Sequence, residues 1–386
     1  MSEKSLRVAI VYDCFFPTNS GGGERVYRRI AERFVELGHT VDYLTRDQWM
    51  QGDRPEATFG IVPVWRGEIY DGGGTRKSSS ALKFALAVFR TLCRRRGRYD
   101  LVIASALPVL TLLAARLALV GSRTFLVDNW LEIWGWRKWR RYAGLLAGTV
   151  AFVLQLVAAR AANLHTVDSR FTSDRLRAYD TYSQPVTLGL VDLGGHGKPM
   201  CAASKPPYVL VVGRLIADKR TAVVPAAVAF ARSIDATIEL RVVGRGPEEA
   251  ALAAEITRLR LGEATALLGR VEEHELHELM HGASVLVNAS EREGFGLVVA
   301  EAASHGVPSV VVRADDNAAV DLIDSGVNGY IAESTSPEVL GQAIVDAVAA
   351  GLALRQSTEH WFERQRIENG LDASVNEIIR RYLVAR

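Results

Sequence analysis

Along the chain, short runs of aliphatic and β-branched residues alternate with longer stretches whose apolar positions recur every three or four residues. The first run, Val8, Ile10 and Val11, leads into a glycine-rich loop. An amphipathic stretch from about Glu24 to Leu37 follows and stops at Gly38, which is the order strand, loop, helix. Further strands are predicted at Thr40 to Thr45, Leu101 to Ala104 and Thr124 to Val127, with helical patterns between them. From Leu188 to Pro207 the periodicity breaks, and four glycines and three prolines crowd a stretch with few apolar residues. A second series then runs through Tyr208 to Leu215, Ile238 to Val243, Ala264 to Leu268, Ser284 to Asn288 and Pro308 to Val312. A last helical stretch spans roughly Ala373 to Val384.

Strands alternating with helices predict doubly wound α/β architecture, and 386 residues exceed what one core fills comfortably. The expected organisation is an N-terminal domain over 1–190, a linker over 191–207 and a second domain over 208–360. A helical segment over 361–386 is expected to pack back on the first domain. Composition agrees with a packed chain, 48% hydrophobic and 23% charged. Cys14, Cys93 and Cys201 are few and far apart, which points away from a disulfide framework or a thiolate metal site. The N-terminus reads as a first buried strand and not as a signal peptide, so a cytoplasmic location is expected. The net charge of +2 hides an asymmetry: residues 1–200 carry 28 Lys and Arg against 18 Asp and Glu, and the remainder is acidic. A basic domain attracts anionic surfaces or substrates, although a solvated basic exterior gives the same bias.

Three loops between a strand and a helix carry the candidate chemistry, because such loops point backbone N–H groups and a positive helix end at an anion. The first is Ser20-Gly21-Gly22-Gly23-Glu24. By itself it is also an ordinary turn. The second, Val212 to Lys219, places Arg214 and Lys219 five residues apart just past a strand, where both can clamp a diphosphate or stand as surface cations. The third, Ser290 to Ala302, is the most informative. Glu293 sits in a loop and Glu301 on the helix it opens, and the small or apolar Leu297, Val298, Ala300, Ala302 and Ala303 mark that helix as buried.

With these motifs in this order, the chain resembles glycosyltransferase family 4 over nearly its full length. The resemblance implies a GT-B fold, two Rossmann-like doubly wound domains facing across a cleft, and a retaining transfer from a nucleotide-sugar donor. It implies that Glu293 and Glu301 form an E-x7-E motif meeting the donor sugar and the ribose, with amides near Gly294, Phe295, Gly296 and Leu297 on sugar and phosphates. Arg214 and Lys219 correspond to the cations that neutralise the leaving diphosphate, and Gly21 and Gly22 to the family's N-terminal glycine pair. Retention is implied to proceed by front-face displacement, the leaving phosphate assisting deprotonation of the acceptor and no protein nucleophile being required. Two departures stand out. Lys219 is followed by Arg220 where the family has glycine. Phe125-Leu126-Val127 runs into Asp128-Asn129 where many relatives place a histidine, which makes Asp128 the candidate replacement for positioning the acceptor, with a helix-capping Asp as the bland reading.

No cofactor or resident metal is expected. Asp315-Asp316 is adjacent rather than alternate and reads as loop or cap material. His274, His277 and His281 share one helix face, and a solvent-facing helix is the expected reading. The run from Trp130 to Tyr142 packs four tryptophans with Arg137, Lys138, Arg140 and Arg141. Trp134, Trp136, Trp139 and these cations suit either docking at an anionic membrane surface or the wall of an acceptor pocket. The apolar stretch Ala143 to Ala159 is shorter than the ~20 residues a bilayer span needs and reads as a buried or membrane-surface helix. The cluster Arg94, Arg95, Arg96 and Arg98 either adds to that attraction or is a solvated helix end.

The expected partners are a nucleotide-sugar, with UDP or GDP as the base-bearing part, and an acceptor glycan. That glycan is read as lipid-linked at the inner face of the cell membrane, with a soluble acceptor as the alternative. Nucleic acid is not expected. An epimerase or hydrolase would need an acid–base pair on the sugar ring, which is not evident. A dinucleotide oxidoreductase would need G-x-G-x-x-G after the first strand, which is absent. An inactive assembly subunit remains the reading that donor turnover would remove.

Overall fold

The structure, a computed structural model, describes residues 5–19, 21–49, 54–69, 77–179, 184–190 and 202–386. The chain divides into two compact units, residues 1–189 with 371–386, and residues 190–370. Residues 191–201 of the expected linker, with Ser20 and Cys201, lie outside the described residues.

The first unit is built on a parallel sheet of β1 (Arg7–Val11), β2 (Thr40–Asp47), β3 (Gly60–Arg66), β4 (Leu101–Ser105), β5 (Phe125–Trp130), β6 (Leu164–Val167) and β7 (Val186–Thr187). Their order is β3-β2-β1-β4-β5-β6-β7. The central strands are apolar almost throughout because both faces are covered by helices. β3 escapes the sequence pattern because Pro63 interrupts it, and it lies at the sheet edge, where a strand tolerates proline. One face carries α2 (Ser78–Arg94), α3 (Val109–Ala118) and the end of α5 (Leu145–Ala158), which bury Phe84, Val88, Leu112, Ala115 and Ala158 against Val102, Leu126 and Trp130. The remaining helices are α1 (Gly22–Glu36), α4 (Trp136–Ala143), α6 (Arg170–Arg177) and α12 (Leu371–Val384).

α1 ends where the sequence places its stop. Gly38, at φ +83°, lets its own N–H bond to Val35 O (2.9 Å) and His39 N–H to Phe34 O (3.0 Å), closing the last turn. α12 rests beside α1 and β7: Ser374 Oγ donates to Thr187 O (3.1 Å) and accepts from Gly189 N (3.0 Å). Tyr382 packs edge-on to Phe125, and Arg33 pairs with Asp372 at 3.2 Å. Residues 361–369, by contrast, stay with the second unit as the end of a longer helix.

The second unit has β8 (Tyr208–Val212), β9 (Glu239–Val243), β10 (Thr265–Gly269), β11 (Val285–Asn288), β13 (Ser309–Val312) and β15 (Gly329–Ala332) in the order β10-β9-β8-β11-β13-β15. The short strands β12 (Arg292–Glu293) and β14 (Asp316–Asn317) pair with each other. Around the sheet lie α7 (Val224–Ile234), α8 (Glu249–Arg258), α9 (Glu273–Gly282), α10 (Leu297–Ser304) and α11 (Pro337–Asn369). Among the described residues α11 is the helix long and apolar enough to cross a membrane. Instead it breaks at Gly351 (φ +53°) and buries Leu340, Ile344, Ala347, Trp361 and Phe362 in this unit.

Candidate active site

Strand order reverses direction between β8 and β11, and in an open α/β sheet a ligand sits beyond the strand ends at such a switch point. The loops leaving these two strands carry the candidate donor residues: Gly213 to Arg220 after β8, and Ala289 to Gly296 after β11. Leu286 pairs directly with Leu210, so the two loops start side by side. A small cavity between them is lined by Gly213, Lys219, Thr221, Asn288 and Ser290.

After β8 the chain makes one tight turn, Ala217–Lys219, and then Arg220 takes the left-handed conformation, φ +45° and ψ +33°. This accounts for the departure at that position. Glycine adopts the conformation freely, whereas a side chain makes it cost about 1–2 kcal/mol. Arg220 offsets the cost by donating from Nε to Ala289 O (2.8 Å) and from Nη2 to Ser290 O (3.1 Å), which ties the first loop to the second. Glu291 N–H donates to Asp218 O (2.8 Å), and Arg292 pairs with the Asp218 carboxylate at 3.1 Å.

Lys219 Nζ and Glu293 Oε2 form a direct ion pair across the two loops. Ser290 Oγ, at 3.4 Å from the same oxygen, is at the edge of hydrogen-bond range. The Arg214 guanidinium is exposed and has no ion pair or hydrogen bond among the described residues, so its charge is available to an anion. Gly296 caps α10 at φ +97°, and a Cβ there would stand 2.6 Å from that of Ala319, so the approach to the α10 N-terminus requires glycine. Leu297 is the first residue of α10, Phe295 packs beside Ala300, Trp361 and Phe362, and Glu301 is buried one turn on. The Asp315-Asp316 stretch contributes Asp316 to β14, while the cap is its neighbour Asn317, whose Oδ1 accepts from Ala319 N (3.1 Å).

A third loop escaped the sequence reading. Gly244 to Pro247 follows β9 and is laced to the first loop: Gly213 N donates to Val243 O, Leu215 N to Arg245 O and Glu248 N to Leu215 O. Gly244, at φ +140°, lies so close to Gly213 O that no Cβ fits. The Gly-Arg-Gly-Pro sequence was the available signal, since such punctuation marks a tight turn.

Gly21 and Gly22 belong to the first unit, at the start of α1, and the Glu24 side chain folds over Gly21. Asp128 also lies in that unit. It is fully buried in β5, with both carboxylate oxygens 2.8–2.9 Å from His165 Nδ1 on β6. Burial raises its pKa, opposed by His165. Next to Asp128, Asn129 Nδ2 donates to Asp168 (2.9 Å), and burial pushes that carboxyl up to about 6.

The Trp-rich segment is likewise redistributed. Trp134 and Trp139 are half-buried around Gln155: its Oε1 accepts from Trp139 Nε1 (3.0 Å) and Trp134 N (3.2 Å), and its Nε2 donates to Trp134 O (2.7 Å). Lys138 lies over the Trp134 ring, and Arg140 over the exposed Trp136. In the cluster after α2, Arg95 and Arg98 are held by Asp42 at 3.0 and 3.5 Å, and Arg96 donates to Val120 O. The helix with three histidines is not wholly solvent-facing, because His277 Nδ1 meets His305 Nε2 at 3.0 Å. Cys14 is buried and its thiol is pushed up to about 12 by that burial.

Comparison with known proteins bears on both units. Residues 201–362 match the family described as glycosyl transferases group 1, and residues 21–188 match the glycosyl transferase 4-like domain. Glycosyltransferase domain matches therefore fall in both units, and the fold is GT-B. Among similar proteins, a glycogen synthase from Mycobacterium tuberculosis is 32% identical over 139 residues, covering 36% of this chain and 32% of that one. The match therefore spans about a third of the length of that curated relative. The MMP alpha-(1->4)-mannosyltransferase of Mycolicibacterium hassiacum is 25% identical over 331 residues, 76% of this chain and 78% of that one. The structure of Anabaena HepE in complex with UDP and glucose superposes with a TM-score of 0.68 at 17% identity, over 99% of this chain and all of that one, which shows a shared fold.

Proposed function

We propose that this transferase moves a hexose from a nucleotide-sugar, a UDP-sugar first and a GDP-sugar second, to an acceptor hydroxyl with retention of configuration. The observation that carries the reading is the β8/β11 switch point, where Lys219 pairs with Glu293 across the two loops, Arg214 is exposed on the first loop and α10 begins at the end of the second. Arg214 and the helix end supply fixed positive charge where a diphosphate leaves, and Lys219 adds to it. Glu293, held by Lys219, accepts from donor-sugar hydroxyls, and Glu301 accepts from the ribose. With two cations on the leaving group the reaction runs without a divalent metal. The complex of HepE with UDP and glucose favours the uridine donor. The acceptor is a lipid-linked glycan, and the enzyme works on the inner face of the cell membrane. The basic first unit supports this.

The experiment is nucleoside diphosphate release from UDP-, GDP-, ADP- and dTDP-sugars, with and without chelator, by wild type, Glu293→Gln and Glu301→Ala. Wild type releases diphosphate from one class, chelator leaves the rate intact, and each variant falls roughly 5-fold to 150-fold, as for about 1–3 kcal/mol of lost hydrogen bonding. Unchanged turnover by both variants removes the donor-site assignment, and chelator loss restored by magnesium removes the metal-free reading.

A further inference from the structure

Helix α5 is built inside out. Its solvent face carries Leu146, Val150, Val153 and Val157, spaced four, seven and eleven residues from the first, and each is more than half exposed; Leu146 reaches 82%. Its inner face carries Gly148, pressed against the backbone at Trp139, and the buried amide of Gln155. A helix that hides its polar residue and shows its aliphatic ones has its apolar stripe turned toward something other than this chain's core. The stripe continues sideways into an open groove between α3 and α5, floored by Leu113, Leu117 and Leu156 and flanked by Arg116 and Arg160.

Charge says what covers it. Between Leu101 and Val167 the chain holds seven Lys and Arg and only two carboxylates. Of these, Asp128 is buried against His165, and Glu132 accepts from Trp134 Nε1. On α4, Arg137, Arg140 and Arg141 are exposed beside the start of the stripe. An aliphatic face rimmed by cations, with no exposed unpaired carboxylate in the same stretch, matches a bilayer whose acyl region takes the side chains and whose anionic headgroups take the arginines.

We infer that α5, with the α3/α5 groove, is the surface by which this protein docks on an anionic phospholipid membrane, with α4 as its electrostatic flank. This deepens the lipid-linked acceptor reading, on which it rests for its purpose. It moves the insertion element from Trp134 and Trp139, which close around Gln155, to the aliphatic stripe. The helix is too short to span, so it lies along the interface.

The test is co-sedimentation with vesicles of phosphatidylcholine alone and of phosphatidylcholine mixed with phosphatidylglycerol. The proteins are wild type, Leu146→Ser/Val150→Ser/Val153→Ser, and Arg137→Glu/Arg140→Glu/Arg141→Glu. All three sites of the first variant are solvent-facing, and circular dichroism checks its fold. Wild type binds the anionic vesicles and releases with salt, and each variant partitions at least tenfold less. Binding of UDP, read by titration without acceptor, is the same in wild type and the serine variant, so a failed donor site and a failed membrane surface give different results. The inference is overturned if wild type ignores anionic vesicles or the serine variant binds as wild type does. It is also overturned if wild type is a dimer in solution that the serine variant dissolves, since a second copy would then cover the stripe.

Discussion

Arg220 offers a perturbation whose two effects have opposite signs. Its left-handed backbone costs about 1–2 kcal/mol for any residue with a Cβ, and its guanidinium returns two bonds to Ala289 O and Ser290 O. Half-burial puts each bond between the neutral and the charged range, about 2–3 kcal/mol for the pair. Arg220→Ala keeps the backbone cost and loses both bonds, so it destabilises the second unit by about 2–3 kcal/mol. Arg220→Gly loses the same bonds and sheds the backbone cost, less about 0.4–1 kcal/mol for the greater freedom of the unfolded chain. The glycine variant therefore ends up more stable than the alanine variant by roughly 0.5–1 kcal/mol, the reverse of the usual ranking inside regular structure. Urea unfolding of the three proteins measures the ranking. Both variants also weaken nucleotide binding, because the two carbonyls belong to the loop that carries Glu293. If alanine proves as stable as arginine, or more stable than glycine, neither the backbone cost nor the two bonds are as described.

Three further outcomes follow from the buried groups and the ion pair. Asp128→Asn, which uncouples His165 inside the sheet, lowers stability by about 3–5 kcal/mol; thermal melts unchanged from wild type would show that the buried pair contributes nothing to the fold. The folded chain binds the Asp168 proton more tightly than the unfolded chain does, since burial raises its pKa to about 6. Its contribution is therefore fully present below about pH 4 and is lost as pH rises through 6, by at most about 3 kcal/mol, so the melting temperature of Asp168→Asn relative to wild type climbs between those values. A difference that stays flat across that window refutes the assignment. Lys219→Met leaves Glu293 without its cation and raises the donor KM more than it lowers the melting temperature, and steady-state kinetics beside a melt separate the two.

Much of the architecture was visible in the pattern, because parallel strands buried on both faces read as unbroken apolar runs: β1, β4, β8 and β11 lie within a residue or a few of their predicted positions. β3 was hidden by Pro63, which only an edge position explains. Arg214, Lys219 and Glu293 were legible as candidates in the two switch-point loops, since charged groups beside glycines after a strand either meet an anion or stand as surface charges. Their pairing was not, because whether Lys219 faces solvent or Glu293 depends on the turn at Ala217–Lys219 and on the left-handed Arg220. Long-range partners were equally invisible. Arg95 and Arg98 looked like a free basic cluster until Asp42 on β2 met them, and the contact between Asp128 and His165, 37 residues apart, left no mark in the sequence. The Trp-rich segment drew attention by composition, while the exposed stripe of α5 is composed of ordinary aliphatic residues whose pattern leaves a buried and a membrane-surface helix equally open.

The central claim is that the switch point between β8 and β11 binds a nucleoside diphosphate through Arg214 and Lys219, and isothermal titration with UDP and GDP against wild type and Arg214→Ala tests it most directly. Wild type binds one of the two nucleotides, UDP by preference, and Arg214→Ala weakens that binding by about 10-fold to 150-fold, as expected for about 1.5–3 kcal/mol from a charged hydrogen bond to phosphate. Binding of neither nucleotide by a folded wild type, or equal affinity in Arg214→Ala, would contradict it.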